Sequence, residues 1–392
     1  MKLGVWTRLM LAALPLLAGC KGFWQAPSGS GGSSNTPTTL SSGNFYVLDK
    51  GTSVSQIFGF NIVSGTLTAL SGSPYAVNGV AYAIAMDPTG SFLYVSSTAG
   101  VFLYTINATT GALTMGAEVS TDTIATAIAV DTTDRWLIEA LAAGSLAAIP
   151  ITPSGAYDTN PARAEQTMAL ASTQVQQMAM APNGLSLAVA LGSSGTQIFP
   201  FTPAVSMDPI EAALAPTIAV VNTAGTGAAV AVAYDPQNRF LYIGETAVFT
   251  TSGSSGGLRA FSFTASPFSA TELTGSPWAS GGTGPHAIAP TSTGSYVYVA
   301  SWQGSSAGLI TPFQLTTSGS SYVLTALSST VATGVEPMGM TEDNLGHFML
   351  TVNSGANPSL NAYIFDTTTV GMLDQTNTDA TAVSPEAVVA TP

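Results

Sequence analysis

The chain has 392 residues, a formal net charge of −13 and 7% charged residues, against about a quarter in an ordinary soluble domain. All 21 acidic residues and six of the eight basic residues follow Cys20, so the chain after this position carries about −15. A domain this acidic, without a cluster of bases, lacks the surface that binds phosphate backbones, and we expect no nucleic-acid partner.

The first twenty residues have the pattern of a lipoprotein signal peptide. Lys2 and Arg8 form a positive start, residues 9–17 form a short apolar core, and Leu17-Ala18-Gly19-Cys20 matches a bacterial lipobox. The apolar run is too short to span a bilayer, so the signal peptide is predicted to cover residues 1–19 and Cys20 to carry the lipid. The alternative is an ordinary signal peptide, or a short membrane anchor, with a chance cysteine. Because Cys20 is the only cysteine, no disulfide bond is expected.

Residues 20–42 comprise the lipidated cysteine and a predicted flexible tether rich in serine and glycine, with a reach of roughly 25 Å for about 22 residues. A lipid-modified cysteine carries enough acyl chains for stable attachment to the cell envelope. Lys21 follows it where aspartate would be needed for inner-membrane retention, which favours the outer membrane in a Gram-negative cell. Whether the domain faces the periplasm or the outside stays open.

Residues 43–392 repeat one phrase, clearest as residues 83–95 and 232–243. It contains an innermost strand, a turn of the type Asp87-Pro88-Thr89-Gly90, and an aromatic, β-branched second strand. Aspartate or its counterpart recurs at intervals of 44, 50, 54, 56 and 52 residues, at Asp87, Asp131, Ala181, Asp235, Thr291 and Asp343. A period near 50 built from short strands and turns predicts an all-β fold, a β-propeller of four-stranded blades.

The seventh copy is divided between the two ends of the chain. Residues 387–392 match the phrase up to Pro88, and residues 43–47 resume it at Gly90. We therefore predict a seven-bladed ring that is closed by residues 387–391 pairing with the first strand. A closed ring leaves no long sheet edge exposed, and we expect a monomer.

The repeated phrase Asp-Pro-x-Gly-x-Phe-Leu-Tyr-Val, with Thr-Gly-x-Leu-Thr and Gly-Ser-Pro-aromatic between copies, resembles the lactonase-type seven-bladed propellers. These include the 6-phosphogluconolactonases and the YVTN-repeat surface proteins. The resemblance covers residues 43–392 and implies this fold, but it does not imply one activity, because propellers of this type include enzymes and non-enzymes.

The phrases that the resemblance would make catalytic are changed in this chain. A Gly-Pro-Arg-His phrase is represented by Gly284-Pro285-His286, without the arginine, and residues 299–302 stand where Asn-Glu is expected. An earlier Pro-His and Asp-Leu-Gly pair is represented by residues 176–178 and 190–192, without the histidine and the aspartate. Hydrolysis of a phosphorylated lactone needs a base and phosphate-holding cations, and these departures favour a non-catalytic protein.

Alignment of the seven copies places one residue of each at the start of the innermost strand, beside the central channel: Tyr82, Thr126, Gln176, Val230, His286, Met338 and Glu386. One hypothesis is that Tyr82, Gln176, His286 and Glu386 bind a small ligand; Trp302, in a predicted mouth loop, would either contribute to recognition or pack between blades. The other is that they solvate a water-filled channel. His347 is predicted to lie in a turn on the opposite face.

No pattern of metal ligands or of a cofactor site occurs, so none is expected. The acidic stretches 131–134 and 342–344 fall in the repeated turns and are interpreted as solvated turns. Two functions stay open. The first is a membrane-tethered, non-catalytic binding module with an unidentified small-molecule or protein ligand at the channel mouth. The alternative is a lactone hydrolase that uses His286.

Overall fold

The structure is a computed structural model that describes residues 40–392, apart from 122–123, 212–217, 224–226, 250–254, 266–267, 320 and 356. The predicted signal peptide, Cys20 and the tether up to residue 39 lie outside the described residues. Within the described ranges the regular elements are 31 β-strands, and no helix there is long and apolar enough to cross a bilayer.

The strands form seven antiparallel sheets, the blades, which we number from the first copy that is continuous in the chain. Blade 1 contains β5 (Ala81–Met86), β6 (Phe92–Ser97), β7 (Gly100–Ile106) and β8 (Leu113–Ser120). Blade 2 contains β9 (Ala125–Val130), β10 (Trp136–Leu141), β11 (Ser145–Pro150) and β12 (Gln166–Ala169). Blade 3 contains β13 (Gln177–Met180), β14 (Ser186–Ala190), β15 (Thr196–Pro200) and β16 (Ile218–Val220).

In the remaining blades the first four strands are again given from the innermost outward, and an additional strand, where present, pairs with the third strand. Blade 4 contains β17 (Ala229–Tyr234), β18 (Phe240–Phe249), β19 (Ser255–Ala265), β20 (Phe268–Glu272) and β21 (Trp278–Ala279). Blade 5 contains β22 (Gly284–Pro290), β23 (Tyr296–Gln303), β24 (Ser306–Ser318), β25 (Ser321–Ala326) and β26 (Val331–Val335). Blade 6 contains β27 (Pro337–Glu342), β28 (Phe348–Asn353), β29 (Leu360–Phe365) and β30 (Leu373–Asp379). Blade 7 contains β31 (Pro385–Ala390), β1 (Ser41–Asp49), β2 (Gln56–Val63), β3 (Thr66–Ala69) and β4 (Tyr75–Ala76).

The innermost strands of successive blades are neighbours around a closed ring, β5, β9, β13, β17, β22, β27 and β31. Each begins at what we call the mouth face. Each ends at the turn face, where the Asp87-type turns lead into the second strand. Apolar side chains of adjacent blades pack together in seven buried clusters between the sheets. The predicted seven-bladed propeller is confirmed.

Buried side chains hold the turns at the turn face. The carboxylate of Asp87 accepts the backbone N–H groups of Thr89 and Phe92, and the aspartates at the equivalent position bond in the same way within their own turns. Asp87, Asp131, Asp235 and Asp343 are at most 2% exposed. The interpretation as solvated turns is therefore wrong for Asp131 and Asp343, whose carboxylates are buried because backbone donors replace water.

The residue three positions after each of these turn starts has a left-handed backbone. From Gly90 to Gly346 the six equivalent residues have φ between 55° and 69°. They are glycine, asparagine or aspartate, the residue types that adopt this conformation most readily. The turn therefore requires a left-handed residue at this position, which glycine supplies in four of the six turns.

Blade 7 is built from both ends of the described chain. β31 pairs antiparallel with β1, from Phe45 opposite Ala390 to Asp49 opposite Pro385. Beyond the strand, Thr391 Oγ1 accepts the N–H of Asn44 at 3.0 Å, and the Thr391 N–H donates to Asn44 O at 2.9 Å. The predicted closure is confirmed, with residues 385–390 as the innermost strand instead of 387–391.

Tyrosines of the second strands join neighbouring blades. Tyr46, Tyr94 and Tyr298 occupy equivalent positions, and each hydroxyl donates to a glycine carbonyl of the next blade. The acceptors are Gly111 at 2.7 Å, Gly155 at 3.0 Å and Gly371 at 3.0 Å. Burial raises the pKa of Tyr46 and of Tyr94 well above the ordinary value, so the hydroxyls stay protonated donors.

The described chain enters blade 7 at the turn face. Leu40 O accepts the N–H of Ser64, and Ser41 O lies 3.2 Å from Nδ1 of His347. His347 belongs to the turn that follows Asp343. Leu40 therefore lies at the turn face, away from the mouth face.

Candidate functional site

A cavity of about 540 Å³ lies on the central axis, where the innermost strands begin. The seven residues that the repeat aligns at these strand starts all line it: Tyr82, Thr126, Gln176, Val230, His286, Met338 and Glu386. Trp302 lines it as well, from the end of β23. The volume is that of an ordinary small-molecule site.

Most of the strand-start residues lie at a β-bulge. Pro285 pairs with Ser301 and Ala287 pairs with Ala300, so His286 is the extra residue of β22. The same shift occurs at Tyr82, Thr126, Val230, Met338 and Glu386. Gln176 is the residue immediately before β13. A bulge residue is left unpaired in the ladder, so six of the seven lining residues share one local backbone geometry.

His286 and Trp302 form the aromatic wall of the cavity. Their rings stack with centroids 3.9 Å apart and planes inclined by 11°. The indole N–H of Trp302 donates to Pro337 O at 2.9 Å, which ties blade 5 to blade 6. A Cβ on Gly284 would lie 3.0 Å from Cδ2 of His286. The glycine therefore leaves the space in which the imidazole lies.

The imidazole of His286 is neutral at pH 7. Burial lowers its pKa to about 4. Within the described residues, no hydrogen bond or ion pair engages either ring nitrogen. A base with so low a pKa, and with no carboxylate to orient it, is a weak acceptor for a proton from water.

Glu386 is the one carboxylate among the described residues that line the cavity. Burial raises its pKa, while the positive charge of Lys50 opposes that shift and the negative charge of Asp49 adds to it. Lys50 Nζ lies 5.2 Å from the ring centroid of Tyr82. Asp49 accepts the N–H groups of Val383 and Ser384 and so holds the segment that leads into β31.

Sequence reasoning missed Lys50 and a second layer of lining residues. This layer lies two positions further along the innermost strands: Ile84, Ile128, Met178, Ile288, Met340 and Val388. The strand period of two carries this signal, because residues two apart point to the same side. Lys50 had no such signal, since it follows β1 in a loop of the split blade.

No carboxylate is supplied to the cavity by residues 190–192 and 299–302, where the lactonase phrases would have aspartate and glutamate. Ala190 and Leu191 are fully buried, and the buried Ser301 hydroxyl donates to Ser280 O at 3.1 Å. In the described part of the chain, no group of three or more histidine, cysteine, aspartate or glutamate side chains is placed to hold a metal ion. The sequence-based expectation that there is no metal or cofactor stays a prediction.

Solved structures with the same architecture cover almost the whole domain. A Bacteroides uniformis protein described as a candidate 6-phosphogluconolactonase has a TM-score of 0.70 at 17% identity, over 89% of this chain and 99% of the other. The periplasmic gluconolactonase PpgL of Pseudomonas aeruginosa has a TM-score of 0.68 at 18% identity, over 89% and 99%. A Bacteroides fragilis candidate 6-phosphogluconolactonase has a TM-score of 0.69 at 16% identity, over 91% and 99%.

The chain has the fold of the lactonase-type seven-bladed propellers. No protein-family model and no curated protein matches it. At identities below one fifth, the likeness is one of fold, and the chemistry of this lactonase-like propeller has to be judged from its own cavity.

Proposed function

We propose that this lactonase-like propeller is a non-catalytic binding module for a small molecule, carried by a lipoprotein of the bacterial cell envelope. The stack of His286 on Trp302 carries the proposal. A catalytic histidine is oriented by a hydrogen-bonded partner, whereas this one is oriented by an aromatic ring. A concave site on the propeller axis, lined by both polar and apolar side chains, is also where a small ligand would bind.

The charges of the cavity argue against lactone hydrolysis. The reaction needs a base for the attacking water and donors for the oxyanion that forms at the carbonyl. His286, with a pKa of about 4, is a weak base, and no lysine or arginine is among the described residues that line the cavity. A phosphorylated substrate would also be repelled by a chain that carries about −15 after Cys20.

A lactone hydrolase is the second candidate, and one observation favours it. Neutral His286 and the carboxyl group of Glu386 line the same cavity. PpgL, which shares the fold, is described as a gluconolactonase, and an unphosphorylated lactone needs no cationic pocket. In this alternative, His286 would take a proton from the attacking water, and Tyr82 or Gln176 would donate to the oxyanion.

Hydrolysis can be tested directly on D-glucono-1,5-lactone and its 6-phosphate, with proton release followed in a pH indicator assay. We expect the purified protein to leave the uncatalysed rate unchanged. His286→Ala tests the cavity, and His347→Ala is the matched control, because it removes the other histidine at the turn face. A rate that His286→Ala abolishes and His347→Ala retains would establish the hydrolase instead.

Membrane attachment is the other part of the proposal, and it is supported by the lipobox Leu17-Ala18-Gly19-Cys20. Cys20→Ala should release the protein from the membrane fraction. Continued fractionation with membranes, together with no uptake of labelled fatty acid by the wild type, would contradict it.

A further inference from the structure

The wall of the cavity changes character around the ring. Blades 7, 1, 2 and 3, which are consecutive, contribute the polar residues Glu386, Tyr82, Thr126 and Gln176. Blades 4, 5 and 6 contribute Val230, the stacked pair His286 and Trp302, and Met338. A polar arc of four blades therefore faces an aromatic and apolar arc of three.

The aromatic arc offers a rigid and uncharged surface. Trp302 is held by its stack on His286 and by its hydrogen bond to Pro337 O, and burial keeps His286 uncharged at pH 7. Val230 and Met338 extend this surface to both sides. Flat hydrocarbon or aromatic rings gain most from such a wall, because the contact buries apolar area and permits edge or face packing.

The polar arc contains a carboxylate without a partner. Within the described residues, no hydrogen bond or salt bridge engages the side chain of Glu386. Lys50, which acts on it electrostatically, holds its ammonium group over the ring of Tyr82. A partly buried carboxylate of this kind is stabilised by a cation that hydrogen-bonds to it.

We propose that the cavity binds a small amphipathic cation, a compound with one flat aromatic ring and a primary ammonium group on a short chain. This ligand class rests on the proposed binding function of the same cavity. The ring lies against the arc of Trp302, and the ammonium donates to Glu386. Hydroxyl substituents are within the reach of Tyr82 or Gln176. The negative charge of the chain raises the local concentration of such a cation, whereas an anion of equal size is repelled by Glu386, the one carboxylate among the described residues that line the cavity.

Calorimetric titration with four probes of similar size tests the ligand class. Tyramine carries the ring and the ammonium, 4-ethylphenol carries the ring alone, and 3-(4-hydroxyphenyl)propionate carries the opposite charge. D-glucono-1,5-lactone is polar on all sides. We expect tyramine to bind more tightly than 4-ethylphenol, and neither the propionate nor the lactone to give measurable heat.

Three variants separate the two arcs. Glu386→Gln should weaken tyramine about tenfold and leave 4-ethylphenol unchanged, as loss of one charge-assisted hydrogen bond predicts. Glu336→Gln is the matched control, because it removes the same charge from a residue that does not line the cavity. Trp302→Phe should weaken both phenols, and its melting curve shows whether it is folded.

The outcomes distinguish failure of the proposed ligand class from failure of the proposed binding function. Binding of the lactone without binding of tyramine overturns the aromatic cation but leaves the binding function intact. Equal losses in Glu386→Gln and Glu336→Gln show a general field effect and overturn the direct contact. Heat from none of the four probes also overturns the proposed ligand class. Hydrolysis in the lactone assay overturns the non-catalytic function, and the tyramine titration then still tests the ligand class separately.

Discussion

The two innermost strands are arranged alike in blade 1 (β5 and β6) and in blade 7 (β31 and β1), yet only in blade 1 does a covalent turn join them. In blade 1, Asp87 accepts the N–H of Phe92 at 2.6 Å and its own N–H donates to Phe92 O. In blade 7, Thr391 does the same with Asn44, although the two residues are 347 positions apart. The turn is therefore held by a side-chain acceptor at one position, and chain continuity is dispensable when that acceptor is kept.

The largest effect is expected from removing β31, the innermost strand of blade 7, which is held to β1 by hydrogen bonds alone. Deletion of residues 385–392 strips β31 from β1 and exposes an edge beside the cavity. Thermal unfolding should lose its cooperativity and the protein should aggregate. Deletion of Pro392 alone is the control that keeps the strand. A truncated protein with unchanged melting behaviour would contradict the closure by β31.

The two acceptors should differ in strength. Asp87→Ala removes a buried carboxylate that accepts two backbone N–H groups, and we expect a loss of about 3 kcal/mol in the free energy of unfolding. Thr391→Ala removes one hydroxyl acceptor and should cost about 1 kcal/mol. Urea denaturation measures both. Equal losses would show that the type of acceptor does not matter at this turn.

The hydrogen bonds that tyrosines make between blades should contribute equally to stability in the split blade 7 and in the continuous blade 1. Tyr46→Phe in blade 7 and Tyr94→Phe in blade 1 each leave one glycine carbonyl without its donor. We expect each to cost about 1 kcal/mol by urea denaturation. Tyr242→Phe is the control, because its buried hydroxyl has no hydrogen-bond partner in the described part of the chain. If Tyr242→Phe loses as much free energy of unfolding as Tyr94→Phe, the hydrogen bond of Tyr94 does not contribute to stability.

The smallest effect is expected in the pH dependence of stability at Glu386 and Tyr82, the second residues of β31 and β5. Burial raises the pKa of Glu386, so the folded state binds its proton more tightly than the unfolded state does. Stability from this group is present below the unfolded pKa and is lost as the pH rises through the folded pKa. Glu386→Gln should therefore gain stability relative to the wild type between pH 4 and pH 7. Tyr82→Phe at the equivalent position should show no such trend in the same denaturation series.

Much of the architecture was predictable because its signals are local. The Asp-Pro-x-Gly turn, the alternating strands and the spacing near 50 residues predicted seven blades and the split blade, since each depends on a few consecutive residues. The alignment also identified the seven side chains around the cavity. The burial of Asp131 and Asp343 was not predicted, because an acidic turn has the same sequence whether its carboxylate faces water or its own backbone.

The sequence by itself determined the repeat, the positions of the turns and the residue types at the start of each innermost strand. Only the tertiary structure decided that those residues line one cavity, because the strands that carry them are far apart in the chain and meet only in the closed ring. His286 becomes an extra residue through the pairing of Pro285 and Ala287 with β23. The same pairing brings Trp302 onto His286, and hydrogen bonding to blade 6 fixes it there. The division of the cavity into a polar and an aromatic arc follows from the circular order of the blades, which forms when the two chain ends meet in blade 7.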